Sequence, residues 1–165
     1  MAEKILAKAR VLTIEMADPI STEAGIATAQ WVELPLTLRD DMVSILEGEP
    51  EESEVFSHEH DAPLDFDIAG TGMRLTGSFV DATRDQLVDL LDGSKVGDKF
   101  RKSAKTLMLN KAFRLKLRQG GDIIIPNAKG TVRAELNVGY GGVTKFPFNF
   151  RLLQASSEWD CVIMW

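Results

Sequence analysis

The sequence predicts a mainly β fold, an antiparallel β-sandwich or barrel with one short α-helix packed on it. Several segments alternate apolar and polar residues with period two, turn signals separate these segments, and one stretch alone has helical spacing of its leucines. The chain has 165 residues, of which 44% are hydrophobic. This is enough for one core, so we expect a single domain over residues 1–165.

Four segments alternate most clearly and predict half-buried antiparallel strands. They are Met73–Phe79, Phe113–Arg118, Thr131–Val138 and Lys145–Leu152. Pro147 falls on the polar face of the last segment and has no backbone N–H to donate, which predicts an edge strand or a bulge.

Weaker alternation or short apolar runs predict further strands. These candidates are Ile5–Met16, Gln30–Leu38, Met42–Leu46, Ser53–His58, Asp122–Pro126 and Asp160–Met164. Turn signals separate the segments at Ala17–Pro19, Gly48–Pro50, Gly120–Gly121, Pro126–Asn127 and Gly139–Gly142. The last of these lies between two alternating strands and indicates a hairpin tip.

One helix is predicted between Thr83 and Gly93. Thr83 and Gln86 have the spacing of a capping box, and Gly93 stands where a left-handed C-terminal cap would fall. An apolar stripe at helical spacing is formed by Leu87, Leu90 and Leu91. We expect two to three turns packed on the sheet. The polar segment Gly93–Lys105 that follows is interpreted as a long loop.

The charged residues are sorted into two blocks. Asp40–Asp67 contains eleven acidic residues and no Lys or Arg, whereas Arg101–Gly120 contains seven basic residues and no Asp or Glu. Complementary surfaces on one chain can attract each other between copies, as in a head-to-tail contact. The alternative is two solvated stretches that pair within the monomer or with nothing.

The two blocks supply the candidate subunit interface. Its basic residues are Arg101, Lys102, Lys105, Arg114, Lys116 and Arg118, and its acidic residues are Glu49, Glu51, Glu52 and Glu54.

Motifs for catalysis are absent from the sequence. It has no Gly-rich phosphate loop, no nucleophile elbow and no CxxC pair, and Cys161 is its single cysteine. His58 and His60 would share a face of a strand and could hold a metal, but the following Ala62–Pro63 indicates a turn in a polar loop. We therefore expect no catalysis, no metal and no cofactor.

Nucleic-acid binding and membrane insertion are also disfavoured. The basic block could follow phosphates, but Phe113 lies on the apolar face of its strand and the net charge is −6. Charges interrupt the N-terminal residues 1–10, so no signal peptide is expected, and no apolar run has membrane-spanning length. We expect a soluble protein made in the cytoplasm.

The order of the segments resembles the major tail tube proteins of bacteriophages, a group related to type VI secretion tube proteins. The resemblance covers most of residues 30–153. Its parts are the strand Trp31–Arg39, the acidic stretch Glu47–Ser57, the strand Asp67–Val80, the helix Thr83–Gly93, the segment Ile123–Leu136 with its "IPNAK" turn, and the aromatic strand Lys145–Leu152. Residues 1–30 and Trp159–Trp165 carry no mark of the family.

The resemblance implies a phage or prophage structural subunit that forms hexameric rings. The rings would stack into a hollow tube in the virion tail, contact other tail proteins and let DNA pass through the lumen without specific binding. The resemblance also allows a sister structural protein, such as a tail terminator or a baseplate component. Two other classes stay open: a monomeric β-barrel binding a small apolar ligand, and a metal-dependent enzyme built on His58 and His60.

Overall fold

The computed structural model describes residues 9–165, and these form antiparallel sheets with two short helices. The predicted mainly β class is confirmed. The strands are β1 (Val11–Ala17), β2 (Val32–Glu33), β3 (Leu36–Thr37), β4 (Ser44–Glu47), β5 (Glu51–Val55), β6 (Asp65–Ala69), β7 (Met73–Val80), β8 (Gly93–Val96), β9 (Lys99–Lys102), β10 (Leu109–Leu117), β11 (Asp122–Val132) and β12 (Phe146–Leu152). The helices are α1 (Gly25–Thr28) and α2 (Arg84–Leu90). The first residues of the predicted strand Ile5–Met16 lie outside the described part.

The main sheet closes on itself through one segment of the chain. Strands β1, β10, β11, β12 and β7 are successive antiparallel neighbours. Residues 32–38 then bond to both ends of this row, because β2 pairs with β1 and β3 pairs with β7. The result is a ring of strands that encloses a core, with β4 added alongside β7.

Aromatic residues fill the interior of this ring. Phe79 stacks on Phe148 with ring centroids 4.4 Å apart, and Phe113 packs on Phe150 at 4.6 Å. Because side chains alternate across a strand, Phe146, Phe148 and Phe150 all point inward from β12. The alternation in the sequence thus marks the core.

Helix α2 covers the core as predicted. The Thr83 hydroxyl accepts a hydrogen bond from the Gln86 backbone at 3.2 Å, and the Gln86 side chain accepts one from the Thr83 backbone at 3.0 Å. Leu87 and Leu90 are buried. The predicted Gly93 cap is wrong, since the helix ends at Leu90, its cap residue Leu91 is extended, and Gly93 begins β8. A side chain at Gly93 would collide with the Arg101 carbonyl, which explains the glycine.

The long loop predicted for Gly93–Lys105 is also wrong. Strands β8 and β9 form a hairpin there, with Gly97 at a φ of 61° in the turn. Each strand has only four residues, and most of their side chains are exposed, so the usual apolar alternation is lacking. The local turn chemistry of Gly97–Asp98 was the available signal.

Two proline predictions fail for related reasons. Strand β11 continues through Pro126–Asn127, where a turn was predicted, because a register shift in its pairing with β10 accommodates the proline as a bulge. Pro147 lies on the central strand β12 rather than at an edge. The regular pairing of β11 with β12 ends at the pair Val132–Phe148, and Pro147 is the next residue of β12. Proline has no N–H to donate, so the ladder between β11 and β12 is interrupted there.

Other predicted strands are shorter than expected. The predicted strand Thr131–Val138 ends at Val132, apart from one isolated bridge between Glu135 and Lys145. The predicted strand Asp67–Val80 divides into β6 and β7 around Gly72, whose φ is 83°. In Asp160–Met164 a single bridge, from Met164 to Ile124, replaces the expected strand. The short helix α1 was not predicted.

Candidate subunit interfaces

A β-hairpin protrudes from the barrel between Gly48 and Gly72, and we call residues 48–72 the arm. Its strands β5 and β6 pair only with each other in the described structure and are exposed along their whole length. The Gly48 N–H donates to the Gly72 carbonyl at 3.0 Å, which joins the base of the arm to the β4–β7 pair. The arm is therefore a surface without a partner inside the described chain.

The arm is both acidic and apolar. It holds eight acidic residues and no Lys or Arg. The cross-strand pairs Glu52–Ile68 and Glu54–Phe66 lie on one face, so acids and large apolar side chains alternate there. Further exposed apolar residues of the arm are Val55, Phe56 and Leu64, each more than half exposed. Such a concentration of exposed apolar side chains is typical of an interaction surface.

All four acidic interface candidates lie on this arm. Glu51, Glu52 and Glu54 are exposed on β5, and Glu49 stands just before it. Sequence reasoning found their charge but not their apolar neighbours on β6, because Phe66 lies outside the predicted strands and Ile68 was assigned to the single long strand Asp67–Val80.

The histidines lie at the tip of the arm rather than on a strand. His58 and His60 are exposed and fall in the connection between β5 and β6. Over residues 9–165, no group of three His, Cys, Asp or Glu side chains is arranged to hold a metal. The face shared by two histidines, on which the metal hypothesis depended, is not formed.

The basic candidates are dispersed over three places. Arg101 and Lys102 lie exposed on β9, and the Lys102 ammonium donates to the Ser103 and Lys105 carbonyls at 3.1 and 3.2 Å. Lys105 is exposed in the following loop. This group sits beside α2, apart from the basic residues of β10.

Two basic candidates of β10 form ion pairs within the monomer. The Arg114 guanidinium donates to the Glu15 carboxylate with its Nε at 2.7 Å, and Lys116 Nζ lies 3.2 Å from the same carboxylate. The Arg114 guanidinium also lies 4.7 Å from the centre of the Trp31 ring. The side chains of Arg114 and Glu15 are only 21% and 13% exposed, so this ion pair stabilises the barrel of the monomer.

The charge of Glu15 is stabilised by these contacts. Burial alone raises the pKa of the Glu15 carboxyl, but the hydrogen bonds from Arg114 and Lys116 outweigh it and hold the pKa below its ordinary value.

A second ion pair fastens the loop before β4. Asp41 accepts hydrogen bonds from Lys145 Nζ and from the buried Ser78 hydroxyl, both at 2.7 Å. These bonds, the one from Lys145 foremost, lower the pKa of Asp41, and the same contact raises the pKa of Lys145. The loop that holds Asp41 is thus tied to β7 and to the start of β12.

Arg118 lies in a third place, at an open cleft of about 660 Å³ where β1 and the segment after β3 diverge. Arg10 and Arg39 also line this cleft, and we call the site the arginine cleft. Its apolar lining includes Val11, Met42 and Val43. Sequence reasoning missed Arg10 and Arg39 because only the closing of the barrel brings these distant residues together.

The hairpin after β11 exposes another apolar patch. Leu136, Val138 and Tyr140 are 68%, 93% and 111% exposed around the predicted tip. The patch lies between β11 and β12, outside the regular ladder.

The surroundings of Cys161 disfavour its thiolate form. Burial, followed by the negative charge of Glu23, raises the pKa of the thiol. A raised pKa keeps the thiol protonated, and the thiolate is the reactive form.

Comparison with protein-family models, with curated proteins and with solved structures finds no match to this chain. Neither helix of the described residues has the length and apolar character needed to cross a membrane.

Proposed function

We propose that this protein is a self-assembling structural subunit of a phage tail tube, in which rings stack into a hollow tube. The observation that carries the proposal is the arm, a two-stranded hairpin whose apolar and acidic side chains are exposed together. The arm exposes five large apolar side chains to water: Val55, Phe56, Leu64, Phe66 and Ile68. Their burial against another copy is favourable, because it removes apolar surface from water.

Free strand edges support the same assignment. Neither β5 nor β6 has a second strand neighbour in the described chain, so the outer edge of β5 can add to a sheet of another subunit. On β6, the Phe66 and Ile68 N–H groups already donate to the Asp65 and Asp67 carboxylates. The fold suits a structural subunit, since the packed barrel is a rigid body and the arm protrudes far enough to contact another subunit. Three further parts of the proposal rest on the family resemblance alone: six subunits in each ring, a place in the virion tail, and the passage of DNA through the tube.

The two rival classes have less support. A binding module for an apolar ligand needs interior space, and Phe79, Phe113, Phe148 and Phe150 fill the barrel interior. A metal enzyme built on His58 and His60 needs a third ligand held close to them. These histidines are exposed in the arm tip.

Electron microscopy of the purified chain at high concentration and low salt tests the proposal. We expect rings or tubes from the parent protein. A matched variant replaces residues 49–71 with Asn-Gly, a two-residue hairpin turn that rejoins β4 to β7. This variant should stay folded and give single particles. Single particles from the parent at every concentration, or tubes from the armless variant, would contradict the proposal.

A further inference from the structure

The arm and the arginine cleft have complementary surfaces. The cleft is lined by Arg10, Arg39 and Arg118 together with apolar residues. All three arginines are exposed, and none forms an ion pair within residues 9–165. The arm presents eight acidic residues together with large apolar side chains. The acidic charge of the arm is thus opposite to the basic charge of the cleft, and both surfaces have apolar side chains to bury.

Backbone contacts hold two of the arginines beside each other. The Arg118 N–H donates to the Arg10 carbonyl at 2.9 Å, and the Arg10 N–H donates to the Gln119 side chain at 3.0 Å. Arg39 reaches the cleft from the loop that Asp41 fastens to β7 through Ser78 and to the start of β12 through Lys145. Hydrogen bonds therefore fix both walls of the cleft, the wall formed by β1 and Arg118 and the wall formed by the Arg39 loop.

The two surfaces lie at opposite ends of β4. The residues just before β4, including Met42 and Val43, line the cleft, and the residues just after β4 begin the arm. Four strand residues span about 13 Å. The arm thus leaves the barrel at the end of β4 remote from its own cleft, and no described arm residue lines that cleft.

We propose that the arm of one copy seats in the arginine cleft of the next copy. The contact would be head-to-tail, because it joins two different surfaces and leaves a free arm at one end and a free cleft at the other. Carboxylates of the arm would pair with the three guanidinium groups, and arm side chains such as Phe66 would cover the apolar lining. The inference rests on the proposed self-assembly and names the acceptor site for it.

The cleft has a size suited to this occupant. A volume of about 660 Å³ lies within the range of sites that bury several side chains or a small ligand. The site differs from the interface expected from the sequence, because Arg114 and Lys116 of that interface are paired with Glu15.

Charge-swap complementation of the full chain tests the contact. The cleft-reversed chain carries Arg10→Glu, Arg39→Glu and Arg118→Glu. The arm-reversed chain carries Lys in place of Glu49, Glu51, Glu52, Glu54, Asp65 and Asp67. The reversed arm has a formal charge of +4, from six lysines less the remaining Glu59 and Asp61. A matched control carries Arg84→Glu, Lys99→Glu and Arg133→Glu, which are exposed and outside the cleft.

Sedimentation velocity at low salt reads the association of each chain. We expect each reversed chain alone to associate at least about a hundredfold more weakly than the parent, because like charges then face each other. An equimolar mixture of the two should regain association, since each arm meets a cleft of opposite charge. The control should associate like the parent. Circular dichroism on heating checks that each chain is folded.

Two outcomes would overturn the inference, and they differ. A folded cleft-reversed chain that associates like the parent, or a mixture that fails to regain association, removes the arm–cleft contact and leaves self-assembly standing. A parent that sediments as a monomer at every concentration overturns the proposed function together with this contact.

Discussion

The barrel and the arm are built from the same kind of alternating strands but differ in what the alternation faces. On β12, Phe146, Phe148 and Phe150 turn inward and are at most 7% exposed. On β6, Phe66 and Ile68 are 47% and 53% exposed. An apolar stripe on a strand therefore indicates a surface whose burial is favourable. The surface that buries it can belong to the same chain or to another one.

Truncation of one aromatic residue in each region should give the largest difference in stability between the barrel and the arm. Phe150 is fully buried against Phe113 and Phe148, so Phe150→Ala should lower the free energy of unfolding by about 3–5 kcal/mol. The matched change Phe66→Ala should stay within about 0.5 kcal/mol. Urea unfolding measures both. A large loss from Phe66→Ala would show that the arm packs on its own barrel.

The Glu15 cluster should give a similar difference between the barrel and the arm for charged residues. Glu15→Gln leaves the half-buried Arg114 guanidinium without its carboxylate and should destabilise the barrel by about 1–3 kcal/mol. The exposed Glu54→Gln on the arm is the matched control and should be nearly neutral. Equal effects in urea unfolding would contradict the distinction between a paired carboxylate of the barrel and an exposed carboxylate of the arm.

The pH dependence of stability gives an independent reading of the barrel carboxylates. Both Glu15 and Asp41 have pKa values lowered from 4.5 and 3.8 in the folded chain. A depressed folded pKa contributes stability above the unfolded value and loses it as the pH falls through the folded value. We expect the free energy of unfolding to decrease as the pH falls below about 4.5.

The Glu15→Gln variant should lose part of this slope, which unfolding in urea at several pH values measures. An unchanged slope in the variant would remove Glu15 as a source of the dependence.

The cap of α2 tests a smaller contribution to the barrel. Thr83→Ala removes the hydroxyl that accepts from the Gln86 backbone and should cost about 1 kcal/mol. Thr83→Ser keeps the acceptor and should restore most of the stability. Thermal unfolding compares the three chains, and an equal loss in the serine variant would assign the effect to the methyl group.

Removal of the arm should have the smallest effect on folding. The variant with Asn-Gly in place of residues 49–71 keeps every buried core residue of the described chain, so its free energy of unfolding should change by less than about 1 kcal/mol. Urea unfolding of the monomer measures this. A barrel that no longer folds without the arm would contradict the division of the molecule into a stable body and a contact surface.

Local patterns gave the class of the fold and several of its parts. The alternation of Phe146–Leu152 marked a buried strand, and Thr83 with Gln86 marked the start of α2, because both signals depend on residues close in sequence. The same reasoning misplaced Pro126 and Pro147, since the tolerance of a strand for proline depends on which neighbour would have accepted its missing hydrogen bond.

The candidate interface divided in the same way. The sequence is sufficient to show that acids gather in residues 40–67 and bases in residues 101–118, because charge is a property of the residues. Three other features appear first in the folded chain: Arg114 faces Glu15, Arg118 joins Arg10 and Arg39 at one cleft, and Phe66 remains in solvent. Those outcomes depend on strand register and on the closing of the sheet, which bring together residues that are distant along the chain.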